Sequence, residues 1–392
     1  MDYLKRSAEK IAKDSCKTYK SILITGARQT GKSTMLKELF PTRKIVTFDD
    51  QFAEEQARNN PTEFIDLNPP PVTYDEVQYV PSLFRYIKIA CDNSKSNGLF
   101  CLTGSQPFKL MKEASESLAG RVSIIELSTL SLREIQKSNF NKPFVPSMDY
   151  IKKRQKSAQK PENIWEIIHR GGYPALQNPK MNWERFFSDY IKTYLERDVR
   201  TLSAVQDLDT FRRFMIACAA RTGQMLNYSN IASEISKDAD TVKKWISILE
   251  ASGIIYILEP YCPSVLNRAI KTPKLYFRDT GLACYLTRWL TPETLANGAF
   301  AGEIFETFVV SEILKSYSNA GSDYRDCVSY YRGKDKKENS ESEIDFIIEK
   351  DGILYPVEIK KTTNPTADMT NAFTILDNIP EKKRGSGAVV CM

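Results

Sequence analysis

Eight consecutive residues carry the most specific chemistry in the chain: Gly26-Ala27-Arg28-Gln29-Thr30-Gly31-Lys32-Ser33. Glycines at both ends of such a loop let backbone N–H groups turn inward, and the helix that follows adds its positive N-terminal end. A lysine ammonium then reaches the outer phosphates of a bound triphosphate, and a serine hydroxyl, here followed by Thr34, can ligate Mg²⁺. The required context is present: Ser21–Thr25 reads as an apolar strand before the loop, and Thr34–Phe40 as a helix behind it. No packing requirement calls for this pattern.

A second group lies at Val72-Thr73-Tyr74-Asp75-Glu76. An acidic residue ending an apolar strand can hold a Mg²⁺ shell, here Asp75, and the adjacent Glu76 can orient an attacking water. One strand, Lys44–Phe48, intervenes in sequence, so the acidic strand is expected to stand apart from the strand that precedes the loop. Thr103-Gly104-Ser105-Gln106 ends a further strand, with Ser105 and Gln106 either sensing a terminal phosphate or forming an ordinary turn.

A third group is C-terminal. Glu343-Ile344-Asp345 opens one apolar strand, and Ile353–Lys361 forms another that contains Glu358-Ile359-Lys360. Side chains alternate along a strand, so Glu358 and Lys360 share a face. A hairpin at Lys350-Asp351-Gly352 brings Asp345 beside them, and Glu306 on a helix over Glu303–Lys315 can add a carboxylate. Carboxylates with a lysine suit Mg²⁺ or Mn²⁺ and a polarised water, with Lys360 helping to generate the nucleophile. The plainer alternative is an acidic, solvent-facing strand pair. Lys334, Lys336 and Lys337 nearby can meet phosphates or form a solvated loop.

The positioning elements follow from periodicity. Strands are predicted at Ser21–Thr25, Lys44–Phe48, Val72–Asp75, Leu99–Thr103 and Ser123–Leu127, alternating with helices, which is the pattern of a parallel sheet covered on both faces. The chain then turns helical and polar, with segments at Trp165–Arg170 and Asn182–Arg200. Phe211–Arg221, Tyr228–Ser236 and Asp240–Ala251 read as three short helices, with Asp240 capping the third. Ile254–Glu259 and Lys274–Phe277 follow as a ribbon. This order resembles a winged helix-turn-helix, used either on DNA or as a lid between domains. A helix at Thr366–Leu376 and a strand at Ala388–Cys391 complete a new α/β pattern that starts near Gly302. At 392 residues more than one core is expected, with boundaries at 1–130, 131–209, 210–290 and 291–392.

Composition narrows the chemistry. The single histidine, His169, excludes histidine-triad catalysis and His-rich metal sites within one chain. Eight scattered cysteines without a C-x-x-C pair argue against zinc and against a disulfide framework. No apolar run spans a bilayer and Met1–Lys13 lacks a secretory signal, so the expected location is the cytoplasm, with no membrane partner. Gln136–Lys160 holds seven Lys/Arg against one Asp, as large as the whole formal excess of +6. That stretch is either a solvated linker or a DNA contact.

Taken together, Tyr74-Asp75-Glu76-Val77-Gln78, Thr103-Gly104-Ser105-Gln106 and Ser117-Leu-Ala-Gly-Arg121 resemble a family of bacterial and archaeal AAA-type P-loop ATPases. Gly171-Gly172-Tyr173-Pro174, Tyr194-Leu-Glu-Arg-Asp198 and Lys274-Leu-Tyr-Phe-Arg-Asp-Thr-Gly-Leu282 extend the likeness over essentially the whole chain. The resemblance implies an AAA+/ASCE-type parallel sheet that binds ATP with Mg²⁺. It also implies a C-terminal, restriction-endonuclease-like domain of unknown function. Glu306…Asp345…Glu358-x-Lys360 is similar to the PD-(D/E)xK nuclease pattern. Arg121 sits where such ATPases often carry an arginine finger for a neighbouring subunit, which would require self-association; the alternative is a surface salt bridge. Tyr74 departs from the aliphatic residue usual in that family, without consequence for the metal. The combined expectation is ATP hydrolysis that controls a DNA-engaging C-terminal region, or else a nucleotide-switched scaffold that does not cleave.

Overall fold

A computed structural model describes residues 3–105, 116–195, 199–200, 205, 207–262, 272–334 and 341–392. Gln106, Glu196-Arg197-Asp198, Lys336 and Lys337, all singled out above, lie outside the described residues.

Five parallel strands make the first sheet: β1 (Ser21–Thr25), β2 (Lys44–Thr47), β3 (Val72–Asp75), β4 (Phe100–Gly104) and β5 (Val122–Glu126), in the order β2-β3-β4-β1-β5. The acidic strand β3 does stand apart from β1, but β4 separates them; β2 lies at the edge. Helices fill the crossovers from β1 to β2, β2 to β3 and β3 to β4, the usual way to connect parallel strands. One face packs on Met35, Leu36 and Ala12, the other on Phe48, Phe64, Phe84 and Ile87. Tyr74 belongs to this second layer: its ring lies against Phe48, Phe64 and Phe100, and its hydroxyl donates to the Asn68 carbonyl at 3.0 Å. A tyrosine fits there because its one polar atom has a partner.

The next helices, Met148–Gln155, Ile164–Arg170 and Trp183–Tyr194, lead to the helix Leu208–Ala219. A three-stranded antiparallel ribbon, β6 (Gln224–Met225), β7 (Ile255–Leu258) and β8 (Lys274–Phe277), is ordered β6-β8-β7. Tyr228–Ile235 and Ala239–Ala251 fall between β6 and β7. The cap of the latter helix is Asp238, whose carboxylate accepts from the Thr241 amide at 2.7 Å; Asp240, expected in that role, sits in the first turn.

The last sheet runs β12 (Lys383–Arg384), β11 (Ile353–Ile359), β10 (Glu341–Lys350), β9 (Val328–Lys334), with β13 (Ala388–Val390) parallel to β11. Asp351 and Gly352 both take positive φ and close the β10–β11 hairpin as a tight turn. The segment expected as a helix at Thr366–Leu376 is instead a 3₁₀ helix, Ala367–Asn378.

The long helix Ala301–Ser318 buries 13 of its 18 residues. A helix apolar around most of its circumference must be covered on several sides. Accordingly, one hydrophobic core runs without interruption from Trp165 through Trp245 and Phe277 to Val357 and Ile359. Residues on both sides of the expected boundary between 290 and 291 contribute to that core.

Candidate functional site

The loop after β1 emerges at the C-terminal edge of the first sheet, where ligands gather in open α/β folds. Gly26 has φ +142°, and a Cβ there would stand 2.2 Å from the Leu127 carbonyl oxygen, so only glycine fits. Gln29 and Gly31 also take positive φ, which turns the loop back over the helix Lys32–Leu39. Thr30 is fully buried and donates its hydroxyl to the Ala27 carbonyl at 3.0 Å. Lys32 is buried too, with its ammonium on the Gly26 and Ala27 carbonyls at 3.1 and 2.9 Å. Arg28 and Ser33 are half-buried, and Thr34 is exposed at the mouth of the loop.

Beside the loop, the Ser33 hydroxyl donates to Asp75 Oδ1 at 2.6 Å, and Thr103 donates to the same oxygen. A hydroxyl and a carboxylate in this arrangement are two oxygen donors suited to a hard divalent ion, so the residues fit Mg²⁺. Glu76 adopts a left-handed backbone, φ +58°, and its amide bonds to Thr103 Oγ1 at 3.2 Å. Its Oε2 accepts from Ser105 Oγ at 3.2 Å and from the Gln78 amide. The structure therefore brings Lys32, Ser33, Asp75, Glu76 and Ser105 together. Thr103 and Gln78 complete the network; both were visible in the motifs, but their orienting bonds were not.

Sequence reasoning missed the N-terminal segment. Arg6 is buried and donates to the Thr30 carbonyl at 2.7 Å, the Ser128 carbonyl at 2.8 Å and Glu134 at 3.0 Å. Burial works to raise the Glu134 carboxyl, but Arg6 and the Ser131 and Ser7 amides outweigh it and hold it below its ordinary value. This clamp walls one side of a cavity of about 210 Å³, lined by Tyr3, Leu4, Thr34, Leu130, Pro174 and Ala175. Gly171-Gly172-Tyr173-Pro174 thus delivers Pro174 to the loop's flank.

Arg121 lies at the opposite, N-terminal edge of the sheet, immediately before β5. It cannot reach its own phosphate loop. Its guanidinium pairs with Asp92 (Nη2–Oδ2 3.2 Å) and donates to the Ala119 carbonyl at 2.9 Å.

In the C-terminal cluster, Lys360 Nζ stands 2.6 Å from Glu358 Oε1 and 3.2 Å from Asp345 Oδ2, which also accepts the Ile359 amide at 2.8 Å. A β-bulge between Ile344 and Ile347 aims Asp345 inward. Glu358 is buried with Oε2 unpartnered; burial and the Asp345 charge push its carboxyl up to about 7. Glu306 does not complete a ligand set. Its Oε1 accepts from Tyr276 at 2.6 Å and from Lys274 at 3.2 Å, and Lys274 also meets Glu343 at 2.6 Å. Among the described residues no three acidic, histidine or cysteine side chains converge on a point that could hold one ion. The expected metal set Glu306, Asp345 and Glu358 is therefore not assembled, because a lysine from β8 holds the first of them. Lys274 and Tyr276 are two apart on one strand and so share a face, but nothing local says what that face meets.

A salt-bridge junction joins the parts. At the end of β5, Glu126 pairs with Arg278, which follows β8, and with Arg325 at 2.9 Å. Asp279 accepts the Gly172 amide at 2.8 Å. All eight cysteines are free thiols, and among the described residues no helix is long and apolar enough to cross a membrane.

Residues 18–136 match the family described as AAA domain. Residues 161–293 match a domain of unknown function (DUF8612), and residues 301–392 another (DUF4143). Two curated relatives, the uncharacterized proteins Rv2008c of Mycobacterium tuberculosis and Mb2031c of Mycobacterium bovis, are each 26% identical over 367 residues. The match covers 91% of this chain and 74% of theirs. Among solved structures, the Walker-type ATPase PABY2304 of Pyrococcus abyssi is similar at 16% identity and TM-score 0.45, over 73% of this chain and 96% of that one. AMPPCP-bound DnaA from Aquifex aeolicus follows at 15% identity and TM-score 0.29, over 62% and 85%.

Proposed function

Proceeding from an AAA-type, ATP-binding P-loop domain at residues 18–136, we propose that the chain hydrolyses ATP with Mg²⁺ and uses the cycle to control its C-terminal region. The observation that carries this reading is the 2.6 Å contact of Ser33 with Asp75, with Glu76 next in sequence. The amides from Ala27 to Ser33 cradle the phosphates, and Lys32 leaves its loop carbonyls for the outer phosphate oxygens. The tyrosine, leucine and proline walls of the neighbouring cavity suit the base and ribose. Glu76, oriented by Ser105 and Gln78, takes a proton from water as the water oxygen attacks the γ-phosphorus. The bond to the β,γ-bridging oxygen breaks, and ADP and phosphate leave. Ser33 and Asp75 would hold Mg²⁺, which would supply charge neutralisation on the phosphate oxygens. Arg121, at the far edge of the sheet, can serve only a neighbouring copy, after release from Asp92.

The middle region has the element order of a winged helix-turn-helix, and Lys243, Lys244 and Ser247 lie on the exposed face of its third helix. We read it, with the lysine-rich segment 136–160, as the surface that engages DNA. The C-terminal sheet, with Asp345, Glu358 and Lys360 on one face, fits the restriction-endonuclease-like reading. The hold of Lys274 on Glu306 favours the non-cleaving, nucleotide-switched form of that region in the conformation described. ATP turnover with and without duplex DNA, on wild type, Lys32→Ala and Glu76→Gln, tests both parts. Turnover that both variants leave unchanged sinks the ATPase assignment. Wild-type turnover and salt-dependent binding that ignore DNA sink the DNA assignment.

A further inference from the structure

Two of the eight free thiols lie against one another. Cys16 is in the last turn of the helix Glu9–Thr18, Cys101 is on β4, and their sulfurs are 4.0 Å apart. The backbone around Cys16 is fastened to the sheet on both sides. The Ser15 hydroxyl meets Ser123 Oγ on β5 at 2.9 Å, and the Asn97 side chain donates to the Lys17 carbonyl at 2.8 Å. Gly98 takes φ +64°, and a Cβ there would stand 2.7 Å from the Cys16 carbonyl oxygen, so the lead into β4 runs tight against Cys16. The two sulfurs differ in access: Cys101 is fully buried and Cys16 half-buried. Arg43, its guanidinium carbon 4.7 Å from the centre of the Phe40 ring, donates to Cys101 Sγ at 3.0 Å. With its lone pair so occupied, Cys101 has its S–H to offer to Cys16, which favours the thiolate on Cys16. That hydrogen bond, with the Arg43 charge behind it, holds the Cys16 thiol below its ordinary value against the effect of burial. An accessible thiolate beside a second thiol is the arrangement of redox-reactive cysteines.

We propose that Cys16 and Cys101 are a peroxide-oxidisable pair, in which Cys16 attacks and Cys101 resolves, joining the helix Glu9–Thr18 to β4. The Cys16 thiolate attacks one oxygen of hydrogen peroxide. The O–O bond breaks, hydroxide leaves and takes a proton from solvent, and Cys16 becomes a sulfenic acid. The Cys101 sulfur then attacks the Cys16 sulfur. The S–S bond forms, the S–O bond breaks, and the departing hydroxyl leaves as water with the Cys101 proton. The dithiol loses two electrons, and one peroxide becomes two waters. A disulfide needs its sulfurs at about 2.05 Å, so they must close by about 2 Å, within the sweep of the Cys16 Cβ–Sγ bond as it turns between rotamers. The helix joined in this way follows Arg6, which braces the phosphate loop through the Thr30 carbonyl. Oxidation therefore fastens that clamp to the strand beside β1, where Cys101 pairs with Ile22.

The test is peroxide treatment of the reduced full chain, followed by blocking with iodoacetamide, digestion without reductant and mass spectrometry. Wild type should yield a Cys16–Cys101 linked peptide that dithiothreitol splits. In Cys101→Ser, peroxide with dimedone should label Cys16, since nothing captures its sulfenic acid. Absence of the linked peptide, or oxidation of Cys16 no faster than that of the half-buried Cys327, overturns the pair. A second measurement needs no variant, so it holds even where thermal unfolding shows Cys101→Ser to be misfolded. In wild type, iodoacetamide labelling of Cys16 against pH should have its midpoint about one pH unit or more below that of Cys327, whose thiol burial pushes up. A Cys16 midpoint at or above that of Cys327 overturns its role as the attacking thiol.

Discussion

Glu76 and Lys32 have separable tasks, and the geometry says how to tell them apart. Lys32 is the only lysine on the loop, with its ammonium over the Gly26 and Ala27 carbonyls. Lys32→Ala should abolish nucleotide uptake in calorimetry. The Glu76 carboxylate accepts from Ser105 and Gln78. Glu76→Gln should therefore keep uptake and lower turnover by about 10²–10⁴, the range of a positioned general base. Loss of binding in Glu76→Gln would show instead that the carboxylate holds the loop together. At this scale the sequence was most legible. The loop, Asp75-Glu76 and Ser105 were named from spacing, because phosphate and magnesium chemistry demands particular atoms at short range. Lys274 was not legible as part of the C-terminal cluster, since its partners Glu306 and Glu343 are distant in sequence.

At the scale of elements, the N-terminal segment is tied to the phosphate loop by one buried ion pair. Removing Arg6 leaves Glu134 charged and buried, which should cost roughly 3–5 kcal/mol in denaturant unfolding of the nucleotide-binding part. Arg6→Met with Glu134→Leu should recover much of that loss, since no lone charge remains. The same pair sets a pH dependence. Glu134 is held below its ordinary value, so its contribution is fully present above its unfolded pKa and is lost as pH falls through the folded one. Thermal melts from neutral pH downward should show wild type losing stability faster than Glu134→Gln, and parallel curves would refute the assignment. The five strands of the first sheet were legible to within a residue from period alone, whereas helix ends were less so: the helix expected at Phe211–Arg221 runs over Leu208–Ala219. The N-terminal clamp was not legible, because Arg6 and Glu134 are 128 residues apart.

For the whole molecule, the continuous core from Trp165 to Ile359 means that the middle and C-terminal regions bury one another. Helix Ala301–Ser318 also reaches the nucleotide-binding part: Lys315 donates to the Leu130 carbonyl at 3.1 Å, and Glu312 accepts the Leu132 amide at 2.9 Å. A fragment of residues 291–392 alone would expose that helix's buried side, and its amide NMR spectrum should show the narrow dispersion of an unfolded chain. A fragment of 161–392 should give a dispersed spectrum. A well-dispersed spectrum from the short fragment would support the boundary expected from sequence. The junction of Glu126 with Arg278 and Arg325 belongs to the same scale, since it joins the phosphate-loop sheet to both later regions. Changing Glu126 and Arg278 singly and together should give a coupling of roughly 0.5–3 kcal/mol in unfolding.

The chain by itself determined the α/β class, the phosphate loop and its acidic partners. These rest on short-range rules: side-chain alternation, helix period, and the few residue types that can grip a triphosphate. Only the tertiary structure decided that β4 stands between β1 and β3, that Arg6 braces the loop, and that Lys274 occupies the C-terminal cluster. Each of those joins residues far apart in sequence, and such pairings are set by which apolar faces pack together, not by any local pattern.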